Sequence, residues 1–466
     1  MLFAKKIIRL TPFLGLVCFI TPTKAQINSP FSRYGLGTEI VNSQNVTSQA
    51  LGGFSAAYTS SMNGSFGQSV NFNNPASYGS IYMTTFDLGL NFNNNTLSKL
   101  SSPTGKEKST YLIPNYIVVG LPMDKNKKTG IAFGLRPVTQ INYAVNESKK
   151  ISSGDTVFNN YIGQGGLNQA FVGFGKAWKY FSIGANTGYN FGRRKIENIK
   201  SFKNSSDSNY FYQSTSNTST LFSGAFFQWG MQGEFPIYKI QKGKGVQKTE
   251  YTLSYGATGT MDQTMKGKQD MVRSTGNFTT NASTPLDTAI SLQNTKGNVI
   301  IPAMYTLGLA LHKKEFETRG SYDQWVLGVE YNSAAWQDKY SFYGQKDVLS
   351  NSWMLRVGAQ FCPNAFNYES YWSTVTYRAG FYTGKDYINI DNKGLKISAL
   401  TMGLGLPIRK YRSYDLQYTL LNLALQVGQR GSGVNDYKEN FVQFTLGYSL
   451  SDVWFNKRKY DYYIFQ

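Results

Sequence analysis

Few residues in this chain carry reactive chemistry, and their spacing limits what they can do. His312 is the one histidine among 466 residues, and the cysteines are Cys18 and Cys362. A Cys/His zinc site or a disulfide framework needs several such ligands, so no metal centre and no other cofactor is expected. No Ser or carboxylate stands at a recognisable triad spacing from His312. General acid–base work at neutral pH usually recruits histidine or a buried carboxylate pair, so the chain reads as a non-enzyme. Gly403-Leu404-Gly405 and Gly163-Gln164-Gly165-Gly166 lack the following helix that a phosphate loop requires. Lys plus Arg number 47 against 27 Asp plus Glu, a net charge of +20. In an exported chain this excess suits lipopolysaccharide phosphates meeting Lys149-Lys150, or a solvated surface, better than nucleic acid.

Export is read from the first residues. Met1 to Ala25 has a basic start (Lys5, Lys6, Arg9), an apolar stretch from Leu10 to Ile20 and a small-residue exit at Thr23-Lys24-Ala25, the pattern of a signal peptide over 1–25. Cys18 would leave with it, and a lone Cys362 argues against a structural disulfide. No later segment approaches 18 consecutive apolar residues, so helical spans are not expected. That leaves a soluble exported protein or an outer-membrane barrel.

The elements that must position any site are strands. Charged residues are only 16% of the chain, against 33 Tyr, 31 Phe and 46 Gly. That composition excludes disorder and favours strands and turns over helices. From Tyr82 to Asn93 one face carries Tyr82, Thr84, Phe86, Leu88, Leu90 and Phe92, while the other carries Met83, Thr85, Asp87, Gly89, Asn91 and Asn93. Runs from Tyr180 to Arg193 and from Thr249 to Asp262 alternate in the same way. They are about twice as long as sandwich strands, and their polar face is Gly, Ser, Thr and Asn rather than charge. An apolar face toward lipid and a small polar face toward a closed lumen account for both features.

Fourteen strands are expected, beginning near Tyr82, Thr110, Thr129, Leu167, Tyr180, Ser219, Thr249, Val299, Trp325, Ser352, Tyr371, Leu395, Ser413 and Asn440. The fold class is therefore all-β, a 14-stranded antiparallel transmembrane β-barrel over 81–450 with both termini periplasmic. Long polar connections are expected at 93–109, 141–166, 194–218 and 263–298, with short ones opposite. Tyr82, Trp178, Tyr180, Trp229, Tyr251, Trp325, Trp353, Tyr371, Trp372, Tyr448 and Trp454 suit interfacial girdles. Residues 26–80 show no alternation but hold Leu51, Phe54, Phe66, Val70 and Phe72, which suits an N-terminal hatch in the lumen; a periplasmic arm is the other reading. Residues 451–466 form a basic, aromatic C-terminal extension in which Trp454, Lys457, Arg458 and Lys459 are candidates for docking a partner, a frayed tail being the alternative.

Several short motifs then resemble the long-chain fatty acid transporter (FadL/TodX) family of outer-membrane proteins. Asn74-Pro75-Ala76, preceded by Ala50-Leu51-Gly52-Gly53, looks like the end of that family's hatch. Ile301-Pro302, Tyr305 to Leu309, Trp325 to Tyr331, Trp336, Arg356-Val357-Gly358 and Tyr377 to Phe381 are similar to its later strands. The resemblance implies a hatch-filled barrel passing small hydrophobic molecules without energy input, with a lateral opening at a disrupted third strand. Here the third strand, Ile131 to Asn142, contains Arg136-Pro137, and a proline cannot donate a ladder hydrogen bond. A harmless bulge is the plainer reading of Pro137, as of Pro114 and Pro302.

Two features depart from that family: polar outer connections, and the sequences Ser29-Pro30-Phe31-Ser32-Arg33-Tyr34-Gly35 and Trp454 to Lys459. The leading expectation is a FadL-like passive channel for hydrophobic compounds in the outer membrane. The alternative is a non-catalytic accessory or scaffold subunit of an outer-membrane assembly or secretion complex. A soluble glycan-binding β-sandwich is the third. The expected partners are outer-membrane lipids and lipopolysaccharide, a hydrophobic ligand, or envelope proteins.

Overall fold

In a computed structural model the alternating runs pair into one antiparallel sheet that closes on itself. The described residues are 29–39, 45–59, 62, 68–100, 105–124, 128–150, 156–203, 212–242, 247–279, 282–318, 320–367, 369–390, 393–409, 418–431 and 437–452. The signal reading over 1–25 and the docking candidates Trp454, Lys457, Arg458 and Lys459 lie outside them.

In chain order the strands are β1 (Thr38–Glu39), β2 (Thr84–Lys99), β3 (Gly105–Pro122), β4 (Thr129–Lys150), β5 (Thr156–Ala177), β6 (Phe181–Lys203), β7 (Gln213–Lys242), β8 (Gln247–Thr260) and β9 (Gln263–Thr279). They continue with β10 (Ala282–Ile301), β11 (Met304–Glu317), β12 (Gly320–Ala334), β13 (Ser341–Phe342), β14 (Ser352–Phe361), β15 (Thr376–Ile390), β16 (Lys393–Arg409), β17 (Tyr418–Arg430) and β18 (Tyr437–Asp452). Fourteen make the wall, and pairing of β18 with β2, from Tyr437 opposite Lys99 to Asp452 opposite Thr84, closes it. Thr84 and Asp452 mark the terminal rim; Lys99 and Tyr437 mark the far rim. β8 pairs directly with β11, while β9 and β10 form a hairpin that prolongs those two strands past the breaks at Met261–Asp262 and Pro302–Ala303. The breaks are held by Asp262, which accepts from Ala303 N at 2.7 Å.

The connections expected as long polar loops are therefore mostly strand. The hairpin around 93–109 is hydrogen-bonded to Lys99 and Gly105, that around 141–166 to Lys150 and Thr156, and that around 194–218 is strand to Lys203 and again from Gln213. The physical reason is solvent. Beyond the apolar belt both faces of a hairpin are wet, so the backbone ladder continues while the hydrophobic alternation that reveals it stops. Tyr371, expected to open a strand, lies instead in the one-turn helix Tyr371–Thr374 before β15.

Burial runs inside out relative to a soluble domain. Phe133, Phe174, Leu307, Leu309, Leu327, Val329, Phe381 and Met402 are exposed on the outer face. The buried clusters lie in the lumen, where Val46, Val70, Phe72 and Tyr78 meet Tyr116, Phe171 and Phe226, and Leu51, Phe54 and Tyr58 meet Ala310 and Val326. At the far rim, residues 335–351 fold inward, stacking Trp336 on Tyr387 at 4.4 Å between centroids. Trp178, Tyr180, Tyr371 and Trp372 stand exposed at the terminal rim, where an amphipathic ring is favoured.

Candidate functional site

The site is built where the luminal residues meet the wall. Asn74 caps the turn Pro75–Ser80 by accepting from Ala76 N at 3.1 Å, and its amide donates to the carbonyls of Ala56 and Met231. Pro75 starts the turn with a preset φ and no orphan N–H. The wall makes room with glycine: a Cβ at Gly184 or Gly230 would overlap Pro75 O or Asn74 Oδ1. The short helix Val46–Ala50 ends through Gly52 and Gly53, at φ +69 and +88. Gly53 N donates to Ser48 O at 2.8 Å, and Gly52 N donates to Thr401 Oγ1 on β16 at 2.9 Å. The two motifs, Gly52-Gly53 and Asn74-Pro75-Ala76, thus both touch the inner wall, on opposite sides of the lumen. The small, hydroxylated inward face serves this docking as well as hydration.

Charged groups complete the docking. Glu330 on β12 accepts from Ser55 N at 2.8 Å and Ala56 N at 2.6 Å, and its other oxygen accepts from Arg356 Nη1 at 2.6 Å. Asp87 on β2 accepts from Val70 N, Tyr116 Oη and Ser449 Oγ at 3.0, 3.1 and 3.0 Å. Buried carboxylates are tolerated only with such partners.

Arg136 and Pro137 sit where the wall parts. β3 pairs with β4 only from Ile117 opposite Leu135 to Pro122 opposite Gly130, so beyond Leu135 the two strands are not hydrogen-bonded to each other. β4 keeps its other neighbour, β5, with a register shift between Pro137 and Thr139. Arg136 points into the lumen, donating to Asn73 Oδ1 at 2.7 Å and Gln169 Oε1 at 2.8 Å, its guanidinium 5.1 Å from the centre of the Phe72 ring. The β4 side of the parting is lined by N-terminal residues. Thr38 and Glu39 pair with Gln140 and Thr139, and Asn142 N donates to Ser32 Oγ at 3.2 Å. Phe31 and Leu36 are buried against Trp336, Tyr340 and Tyr387. Ser29 hydrogen-bonds Glu439 near the far rim, so the first described residue lies at the opposite end of the wall from Asp452.

One constellation escaped the sequence reading. His312 lies inside β11, where Nε2 is 3.0 Å from Ser254 Oγ on β8 and Nδ1 hydrogen-bonds Asp323 on β12. A Ser–His–Asp line is thereby present although its members are 58 and 11 positions apart. Only cross-strand pairing brings them together, because His312 stands beside Thr252 and Val326 in the register. All three are fully buried, at 0% exposure, so the hydroxyl has no route to a substrate in this conformation. Cys362 is buried at the terminal rim, and burial pushes its thiol up to about 12. Among the described residues no cluster of His, Cys, Asp and Glu could hold a metal.

Known proteins share this architecture at low identity. The Ralstonia pickettii toluene transporter TbuX is 13% identical with a TM-score of 0.50, covering 88% of this chain and 98% of that one. A Pseudomonas aeruginosa FadL homologue is 10% identical, also with a TM-score of 0.50 and the same coverages, 88% and 98%. The likeness is one of fold, that of FadL-type outer-membrane barrels. No curated protein sequence matches the chain. The BamG family model matches residues 4–461, nearly its whole length, and the chain therefore belongs to the BamG family.

Proposed function

We propose that the protein is a non-catalytic accessory subunit of an outer-membrane protein-assembly complex, built on a FadL-type barrel whose transport path is stoppered. One observation carries this reading: at the gap between β3 and β4, where a sideways route would open, residues 29–39 of the same chain lie along the free edge of β4, hydrogen-bonded to it at Thr139, Gln140 and Asn142. Luminal residues 45–59 and 68–80 act as a hatch, locked to the wall through Glu330, Asp87 and Arg136. Membership of the BamG family supports the same reading. The shortest connections, such as 178–180, suit the periplasmic side and the long hairpins suit the exterior. The test is isolation of the full chain from native membranes in mild detergent, with insertion of other barrels followed in a deletion strain. Stoichiometric co-isolation with an outer-membrane assembly barrel and slowed insertion are expected; a lone barrel with normal insertion would sink the idea.

A second reading, a gated passive channel for small hydrophobic molecules, is favoured by the end of β3–β4 pairing at Leu135, beside Arg136–Pro137. In that case the stopper is a gate. Uptake of toluene into vesicles containing the protein separates the two, because the subunit reading expects none above empty vesicles.

A further inference from the structure

The wall changes partner strands at one height, and its outer surface is concave there. β7 pairs with β8 from Gln228 to Lys242 and with β9 from Gln213 to Ser223. The residues between, Gly224 to Phe227, fall where one neighbour gives way to the next. An outward-facing groove of about 1090 Å³ lies beside this changeover.

Its side chains are ordered by register. Arg193 stands opposite Leu221, Leu221 opposite Lys268, and Lys268 opposite Lys296, one row across β6, β7, β9 and β10. Strand spacing puts neighbours in such a row about 4.8 Å apart. One step lower, Phe191, Ser223 and Lys266 form the next row. Tyr189 and Phe191 are exposed toward the membrane belt, and Arg193 is where that apolar face of β6 turns cationic.

Two lysines directly opposite on one face destabilise a sheet, so Lys268 facing Lys296 calls for a counter-charge. No Asp or Glu lines the groove, and Asp270, two residues beyond Lys268 on β9, accepts from Asn294 N at 2.8 Å. Among the described residues, no ion pair joins Arg193, Lys266, Lys268 or Lys296 to a carboxylate. Four cations above an apolar shelf, at the level where lipid hydrocarbon ends, match a phosphorylated headgroup with acyl chains below it.

We propose that this groove binds the phosphorylated sugar headgroup of a lipid A-type glycolipid of the outer leaflet. Its phosphates bridge Lys268, Lys296 and Arg193, and its acyl chains cover Tyr189 and Phe191. The proposal does not depend on the assembly role, since any barrel in that membrane would meet the lipid.

The test uses the full chain in detergent, with bisphosphorylated lipid A as probe and native mass spectrometry as readout. The variant Lys266→Ser/Lys268→Ser/Lys296→Ser should retain at least about tenfold less lipid A, each cation contributing separately. Lys149→Ser/Lys150→Ser should retain as much as the parent. On the parent protein, dephosphorylated lipid A should be lost during detergent exchange and excess inorganic phosphate should not displace the lipid. Equal retention by the triple variant, equal retention of the dephosphorylated lipid, or displacement by phosphate alone would each overturn the proposal. The dephosphorylated-lipid arm needs no mutation, so it stands even if the triple variant misfolds.

Discussion

At the scale of single residues, Glu330 illustrates how a luminal charge is made tolerable. It is 1% exposed, and its oxygens take two backbone amides of the luminal segment and the Arg356 guanidinium. Removing one partner of such a pair leaves an uncompensated buried charge, a loss of about 3–5 kcal/mol. Glu330→Ala should therefore lower the urea midpoint of the folded barrel and expose residues 45–59 to protease, whereas Glu330→Gln keeps two acceptor sites and should do less. Gel mobility of the folded form and limited proteolysis check this; an unchanged digestion pattern in Glu330→Ala would mean the contact does not hold the segment. His312 is the converse case at this scale. Its partners Ser254 and Asp323 were invisible in the sequence because hydrogen-bonded register, not spacing along the chain, selects them.

At the scale of elements, the pairing of β1 with β4 decides whether the wall has a gap. Gly37, at φ +101, carries the chain into that pairing, and a Cβ there would overlap the Gln140 carbonyl. Both the left-handed backbone and the close approach disfavour any other residue. Gly37→Ala should release Thr38–Glu39 from Gln140–Thr139 and open the parting beside Pro137. Planar-bilayer conductance measures this directly, with larger and more frequent openings expected than for the parent. A silent Gly37→Ala barrel of normal stability would show that β1 is not the stopper. Pro137 was legible in the sequence as a residue that cannot donate to a ladder. The partner strand it loses, and the N-terminal residues that take its place, were not.

At the scale of the whole molecule, the outer belt is held by lipid rather than by a protein core. Leu309 lies midway along β11, outward-facing and 52% exposed, between Leu307 and Leu311. Arginine on the lipid face near the bilayer midplane costs about 2–4 kcal/mol, falling toward zero at the interface. Leu309→Arg should therefore lower stability in lipid vesicles by about that amount, while the same change at Leu286, on the polar far hairpin, should cost little. Equal effects at the two positions in urea titrations would contradict the placement of the belt.

Alternation of side chains by itself gave the all-β class, the number of wall strands and the face suited to lipid, because runs of period two at twice the length of sandwich strands, with a small uncharged polar face, fit a hydrocarbon belt better than a sandwich. Tyr82 to Asn93 is legible for that reason, and so are the starts near Thr129, Tyr180, Thr249 and Ser352. Outside the belt no such constraint acts, so the hairpins past Lys99, Lys150 and Lys203 read as loops although their ladders continue. Only the tertiary structure decided where β3 leaves β4, that residues 29–39 lie along the freed edge of β4, that Ser254, His312 and Asp323 form one line, and that Lys268 faces Lys296. Each of these depends on register between strands distant in the chain, and register is set by closure of the sheet as a whole.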